Sequence, residues 1–196
     1  MARKKDEEKR KRILDAATKV FAAQGFYNAT IQDIANEAEV AHGTVYFYFE
    51  SKDALLIAIF QELLGELIEY IRSEIAKESH AEAKFRRMIS LQMSIIEENP
   101  DLTKLVLIEL PRTGNFLSDG SIDVLDKYIK MIAEVIREGT EQKSFKLYSS
   151  ADDLAPFIYS GIQGLATVWI LCGMRYSLKA SAQGIADTLL EGLKAR

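Results

Sequence analysis

The sequence predicts an all-α chain: an N-terminal three-helix cluster of the helix-turn-helix kind, followed by a larger helical body. Apolar residues recur at three- and four-residue spacings, and no stretch alternates apolar and polar residues long enough to make a strand. Only three prolines and 11 glycines interrupt 196 residues. Two short amphipathic segments near the start are joined by a three-residue turn, Glu39-Val40-Ala41.

The first helix is expected over Glu7–Gln24, with Ile13, Ala17, Val20 and Phe21 on one face and Gly25 as the closing glycine. Thr30 opens the second, and Asp33 completes a capping box. Its apolar set is Ile31, Ile34, Ala35 and Ala38. The third runs from His42 to Tyr48. Ser51 caps a long fourth helix reaching about Lys77, with a stripe of Leu56, Phe60, Leu63, Leu67, Ile71 and Ile75. Later helices are expected near 81–98, 101–111, 121–140, 152–178 and 181–195. The domains are drawn at 1–51 and 52–196, with no flexible linker.

Composition narrows the class. A 48% hydrophobic and 28% charged chain can build a real core and is globular. One cysteine, Cys172, forms no intrachain disulfide, and the charged N-terminus lacks the apolar run of a secretory signal, so a cytoplasmic location is expected. The net charge of -4 conceals an asymmetry. Residues 1–12 hold seven basic side chains, Lys4 and Lys5 among them, against three acidic ones. That run is a local basic footprint in an otherwise acidic protein.

The helix-turn-helix has the parts needed to enter a DNA major groove. Ala35 and Ala38 let the third helix cross closely, and Val40 turns inward toward Ile34 and Val45. Gly43 permits close backbone approach. Thr44, Tyr46 and Tyr48 offer hydroxyls, and Lys52 adds a positive charge at the start of the fourth helix. Of the four consecutive aromatics Tyr46-Phe47-Tyr48-Phe49, Phe47 and Phe49 are assigned inward and at least one tyrosine outward.

The stretches Thr30-Ile31-Gln32-Asp33-Ile34-Ala35, Val40-Ala41-His42-Gly43-Thr44-Val45-Tyr46-Phe47-Tyr48-Phe49 and Ser51-Lys52-Asp53-Ala54-Leu55 resemble the DNA-binding domain of the TetR family of bacterial repressors. Ile13-Leu14-Asp15-Ala16-Ala17 and Phe21-Ala22-Ala23-Gln24-Gly25-Phe26 resemble that family's first helix, so the likeness spans about residues 9–58. It implies an all-helical homodimer whose C-terminal domain binds a small molecule and controls affinity for double-stranded operator DNA. It also implies phosphate and base contacts at Thr30, Gly43, Thr44, Tyr46 and Lys52, and sequence reading at His42 and Tyr48. Two positions depart from the pattern. Glu39 replaces the usual turn glycine, at a cost of about 1–2 kcal/mol if the turn stays left-handed. Ala41 replaces the usual Ser or Thr and removes a hydroxyl.

In the body, Pro156–Met174 holds no charged residue. Its polar and glycine positions, and the absence of a flanking basic cluster, argue against a membrane span. It is expected to be buried on all sides, one face against a partner subunit and the other on a cavity. With the final helix (Ile185, Leu189, Leu190, Leu193) it would make a four-helix dimer interface. Tyr70, Phe85, Met88, Phe116, Tyr159 and Trp169 are candidate pocket lining, with Glu109 and Arg112 as the polar members. The same residues also fit an ordinary core.

Leu105–Phe116 and Gly161–Leu171, the latter with Trp169, resemble the fatty-acid-responsive branch of the TetR family. That implies a long-chain acyl-CoA ligand, its anionic head met by Lys84, Arg86, Arg87, Arg112 or Arg175. Two separated histidines and one cysteine give no catalytic pair or metal cluster, so neither an enzyme nor a cofactor is expected. The leading function is a ligand-responsive repressor binding a palindromic operator. The alternatives are a ligand-independent DNA-binding protein, or a drug-efflux repressor for aromatic or cationic compounds with Glu109 as counter-charge.

Overall fold

The computed structural model describes residues 2–112 and 119–193, with side chains from Asp6 onward except that of Asp119. Phe116 and the side chains of Lys4 and Lys5 lie outside the described residues. In chain order the helices are α1 (Ala2–Gln24), α2 (Ile31–Glu37), α3 (His42–Tyr48), α4 (Lys52–Ile75), α5 (Ala81–Glu98), α6 (Pro100–Lys104), α7 (Asp119–Glu141), α8 (Ala151–Leu171) and α9 (Leu178–Leu193). Among the described residues the only extended pairing is a single-residue bridge at Phe145.

The chain divides into two compact units. The first is Met1–Leu63 with Asp101–Ser121; the second is Leu64–Pro100 with Ile122–Arg196. The first unit closes on Ile13, Phe21, Ile34, Ala35, Val45 and Leu55, each 2% exposed or less. In the second, α5 packs on α9. Lys84 bonds Glu138 at 2.7 Å, Arg137 pairs with Asp152, and Arg72 bonds Glu134 at 3.0 Å. These ties set α7 against α5, α8 and α4.

Local signals account for most helix ends. The Thr30–Asp33 capping box forms as expected, as does a second one at Ser150–Asp153. The Ser51 hydroxyl accepts the Ala54 amide at 3.0 Å. His80 is the N-cap residue of α5. Gly25 closes α1 at φ 78°. Helices α2, α7 and α8 share one ending, in which the residue after the cap turns left-handed and the chain folds two amides back onto the last turn. Those residues are Glu39 (φ 51°), Lys143 (φ 58°) and Gly173 (φ 76°). For α8 the bonds are Gly173 N to Ile170 O and Met174 N to Trp169 O. Glu39 therefore does keep the left-handed turn.

Several boundaries differ from expectation. α1 starts at Ala2, so the basic run is helical. α4 stops at Ile75; Ala76 N still reaches Arg72 O, and the Lys77 and Glu78 amides after it shorten to three-residue bonds. Its second half buries Leu64 and Ile68, not Leu63 and Leu67. α8 ends at Leu171, seven residues early, because Gly173 and Met174 both take positive φ. α9 starts at Leu178, since the Glu97 carboxylate and the Ser177 hydroxyl accept its first amides.

The segment expected as one helix over 101–111 changes form twice. After α6 comes a π-helical turn, Leu105–Glu109, and then a 3-10 turn, Leu110–Arg112. Pro111 has no amide hydrogen to give, and in an α register its ring would clash with the Leu107 carbonyl. The widened turn, with Leu110 N bonded to Leu105 O, relieves that conflict.

α8 is long and apolar enough, by length and composition, to cross a membrane. It is not buried on all sides. Phe157, Gly161, Gly164, Val168 and Leu171 lie exposed at four- and three-residue steps, while Ala155, Ile158, Ile162, Ala166 and Trp169 face inward.

Candidate nucleic-acid interface and ligand-bearing body

α1, α2 and α3 pack as a reading head, with α2 bearing on both its neighbours. Ala35 and Ala38 are 0% and 1% exposed, which permits the close crossing of α3. Only Val45 of α3 is buried, and Phe49, four residues on, closes the same face at 5% exposure. The rest of α3 faces outward. His42 and Gly43 are exposed, and Thr44 is half-buried. The rings of His42 and Tyr46 meet edge-on at 5.2 Å. A Cβ built on Gly43 would meet nothing within 4 Å, so the backbone there is open to an approaching surface.

Phe47 corrects the expectation that it is buried: it is 78% exposed. On a helix, position 47 stands about 200° from both 45 and 49, so burying that pair drives Phe47 outward. Helical geometry was sufficient to find it from sequence. Tyr46 is also outward, at 47% exposure. The Tyr48 hydroxyl donates to the Asp6 carboxylate on α1, which raises its ionisation above the ordinary tyrosine value.

The two remaining predicted contacts have structural duties. The Thr30 hydroxyl accepts the Asp33 amide at 3.1 Å and donates to the Asp33 carboxylate at 2.6 Å, holding that carboxyl below its usual range. Lys52 Nζ donates to the carbonyls of Ala29 (3.0 Å) and Tyr27 (3.2 Å) and stands 4.7 Å over the Phe26 ring. It ties the loop between α1 and α2 to the first turn of α4.

Of the candidate ligand residues, Phe85 and Met88 are 0% exposed, Trp169 is 3%, and Tyr70 is 47%. Trp169 donates from Nε1 to the Tyr176 carbonyl at 2.7 Å. Tyr159 is half-buried and meets Tyr128 edge-on at 5.6 Å. Burial pushes the Tyr159 hydroxyl up to about 12, against a bond from Gln163 that lowers it. Tyr128, which sequence reasoning did not single out, is wholly buried with no hydrogen-bond partner for its hydroxyl. Burial drives its ionisation far above the usual range.

Glu109 belongs to the first unit. It lines a groove of about 370 Å³ with Phe26, Asn28, Asp101 and Lys104. Its Oε2 has no hydrogen-bond partner, and Arg112 Nη1 is 4.0 Å away. A larger groove of about 730 Å³ lies between α5 and α9 in the second unit, bordered by Arg86, Arg87, Lys179 and Asp187. Neither groove is lined by Tyr70, Phe85, Met88, Tyr159 or Trp169. Three of the five cations expected to meet an anionic head already face carboxylates: Lys84 with Glu138, Arg86 with Glu82 and Asp187, Arg87 with Glu74.

The helix-turn-helix geometry finds its match in known sequences. Residues 13–59 fit the profile of bacterial regulatory proteins of the tetR family, and residues 60–192 fit that of the YsiA-like protein C-terminal region. The chain belongs to the TetR family. A fatty acid metabolism regulator protein of Bacillus subtilis (strain 168) is 27% identical over 190 residues, covering 97% of this TetR-family chain and 98% of that protein. The fold matches the transcriptional regulator FadR of Bacillus subtilis, solved in complex with stearoyl-CoA. The TM-score is 0.83 and the identity 27%, over 92% of this chain and 97% of that one. The fatty acid degradation regulator FadR of Bacillus halodurans also gives 0.83, at 28% identity over 94% and 99%. This TetR-family protein is thus a DNA-binding transcriptional regulator of the helix-turn-helix type and not an enzyme.

Proposed function

We propose that this regulator is a repressor that binds a palindromic operator as a homodimer and lets go when a long-chain acyl-CoA occupies its body. One observation carries the reading. The likeness to fatty-acid regulators extends through residues 60–192, where a ligand would sit, and does not stop at the reading head. In this reading residues 1–51 hold the DNA and residues 52–196 hold the ligand and the partner subunit, in the cytoplasm. DNA is met by Thr30, His42, Gly43, Thr44, Tyr46, Tyr48 and Lys52, with Lys4 and Lys5 adding charge to the backbone contacts.

The exposed stripe Phe157–Gly161–Gly164–Val168–Leu171 on α8 supports the dimer. Steps of four and three residues are the spacing of a helix seam, and the open glycines admit a close neighbour. Twofold symmetry then places half-sites about one helical turn apart or somewhat more. In this reading the apolar lining comes from Tyr70, Phe85, Met88, Tyr159 and Trp169, all in the second unit. An acyl chain entering such surroundings gains about 0.8 kcal/mol per methylene buried. A hundredfold drop in DNA affinity needs only about 2.7 kcal/mol of ligand preference for the released state.

The test is a titration of DNA-bound protein, on an operator selected from random duplexes, with acyl-CoAs of increasing chain length. Release should strengthen with chain length. Indifference to every length overturns the acyl-CoA assignment. Release by hydrophobic cations and not by acyl-CoAs would turn the reading to Glu109 and its unpartnered carboxylate oxygen.

A further inference from the structure

We propose that Phe47 reads the 5-methyl group of a thymine in each operator half-site. The inference rests on the operator-binding reading above. Phe47 is the last residue but one of α3, the second helix of the helix-turn-helix, with 78% of its surface exposed. It offers neither a charge for a phosphate nor a hydrogen bond for a base edge. The thymine methyl is the apolar group that base edges present in the major groove, and it is the feature an aromatic side chain selects there.

Placement on the helix supports the assignment. Gly43 lies four residues before Phe47 on the same face, and space beside it is open. Helical side chains lean toward the N-terminus, so Phe47 leans toward the open space on the Gly43 side of the helix. That end of a recognition helix is the one that meets base edges. The neighbouring Tyr48 ring packs edge-on against Phe47 at 5.2 Å and steadies it. Tyr48 itself is held by its bond to Asp6, so the ring that steadies Phe47 is fixed in place.

The experiment uses the full-length protein and an operator selected from random duplexes. Each thymine is replaced in turn by deoxyuridine, which lacks only the methyl. One position per half-site should lose about fourfold in affinity, the fold-change equivalent of one buried methyl group, and about 15-fold when both half-sites are changed. Phe47→Ala should bind the thymine and deoxyuridine duplexes alike. A 5-methylcytosine·guanine pair at that position should bind the parent protein better than an unmethylated cytosine·guanine pair. The deoxyuridine series is run on the parent protein and needs no variant to fold. Sequence-selective binding that is indifferent to every deoxyuridine overturns the role of Phe47 and leaves the operator reading standing. A methyl dependence that survives Phe47→Ala assigns the contact to another residue and also overturns it. Failure to select any duplex removes both readings together.

Discussion

Replacing Lys52 tests whether its charge holds the reading head together. Its ammonium donates to two carbonyls of the loop after α1, at 3.0 and 3.2 Å, and stands 4.7 Å over Phe26. Charge-assisted bonds contribute about 1.5–3 kcal/mol each when shielded, and Lys52 is only half-buried, so about 1 kcal/mol apiece is the fair figure. The ring contact adds about 0.5 kcal/mol. Lys52→Met keeps the aliphatic stem and removes the charge alone, so it should lose about 2–3 kcal/mol. For a chain of this size that lowers the thermal midpoint by roughly 5–10 °C. Circular dichroism at 222 nm measures it directly. The salt dependence of operator binding then shows whether the same ammonium also meets a phosphate, since losing one such contact lowers the slope by about one. A Lys52→Met protein that melts with the parent would refute the anchoring argument.

Other outcomes follow from single sites. Gly164→Trp should leave each subunit folded, because a Cβ there meets nothing within 4 Å, yet it should block assembly, with sedimentation at micromolar concentration showing monomer. Gly139→Ala should behave in the opposite way. Its Cβ would lie 2.1 Å from the Phe145 ring, so urea unfolding should show a loss of about 1–3 kcal/mol. Asp33 and Asp153 are held below the ordinary carboxyl range by their capping hydroxyls, on Thr30 and Ser150 respectively. Their stabilising effect is complete above about pH 4 and is lost as pH falls through the lowered folded values. Asp153→Asn should therefore unfold at lower urea than the parent at pH 7, with the gap closing as pH falls below the ordinary carboxyl range.

What the sequence revealed and what it hid divide along physical lines. The Thr30–Asp33 box, the Ser51 cap and the Gly25 stop were legible because each is settled within a few residues, whereas the hand of the turn at Glu39 was left open until φ 51° decided it. The end of α8 was not. Gly161, Gly164 and Gly173 look alike locally, and only the last takes a positive φ. The π turn was hidden for a related reason: Pro111 acts on the turn before it, and the sequence does not say whether the helix kinks, stops or widens. Tyr48 and Lys52 read as free donors because their partners are remote, Asp6 being 42 residues from Tyr48. Phe85 and Met88 show the limit for the ligand site. Apolar side chains at helical spacing look the same in a packed core as beside a pocket.

The first compact unit is not a continuous stretch of chain. It needs Asp101–Ser121 as well as Met1–Leu63. Arg112 stands 5.3 Å over the Tyr27 ring, and Glu109 borders the same groove as Phe26. A ribosome that has released the first 63 residues has therefore not yet delivered everything this unit uses, and nearly twice that length must emerge before it closes. The same holds for chimaeras. A graft that exchanges DNA specificity by cutting once within α4 would separate the helix-turn-helix from the later segment that packs on it. A faithful exchange of specificity has to carry both pieces.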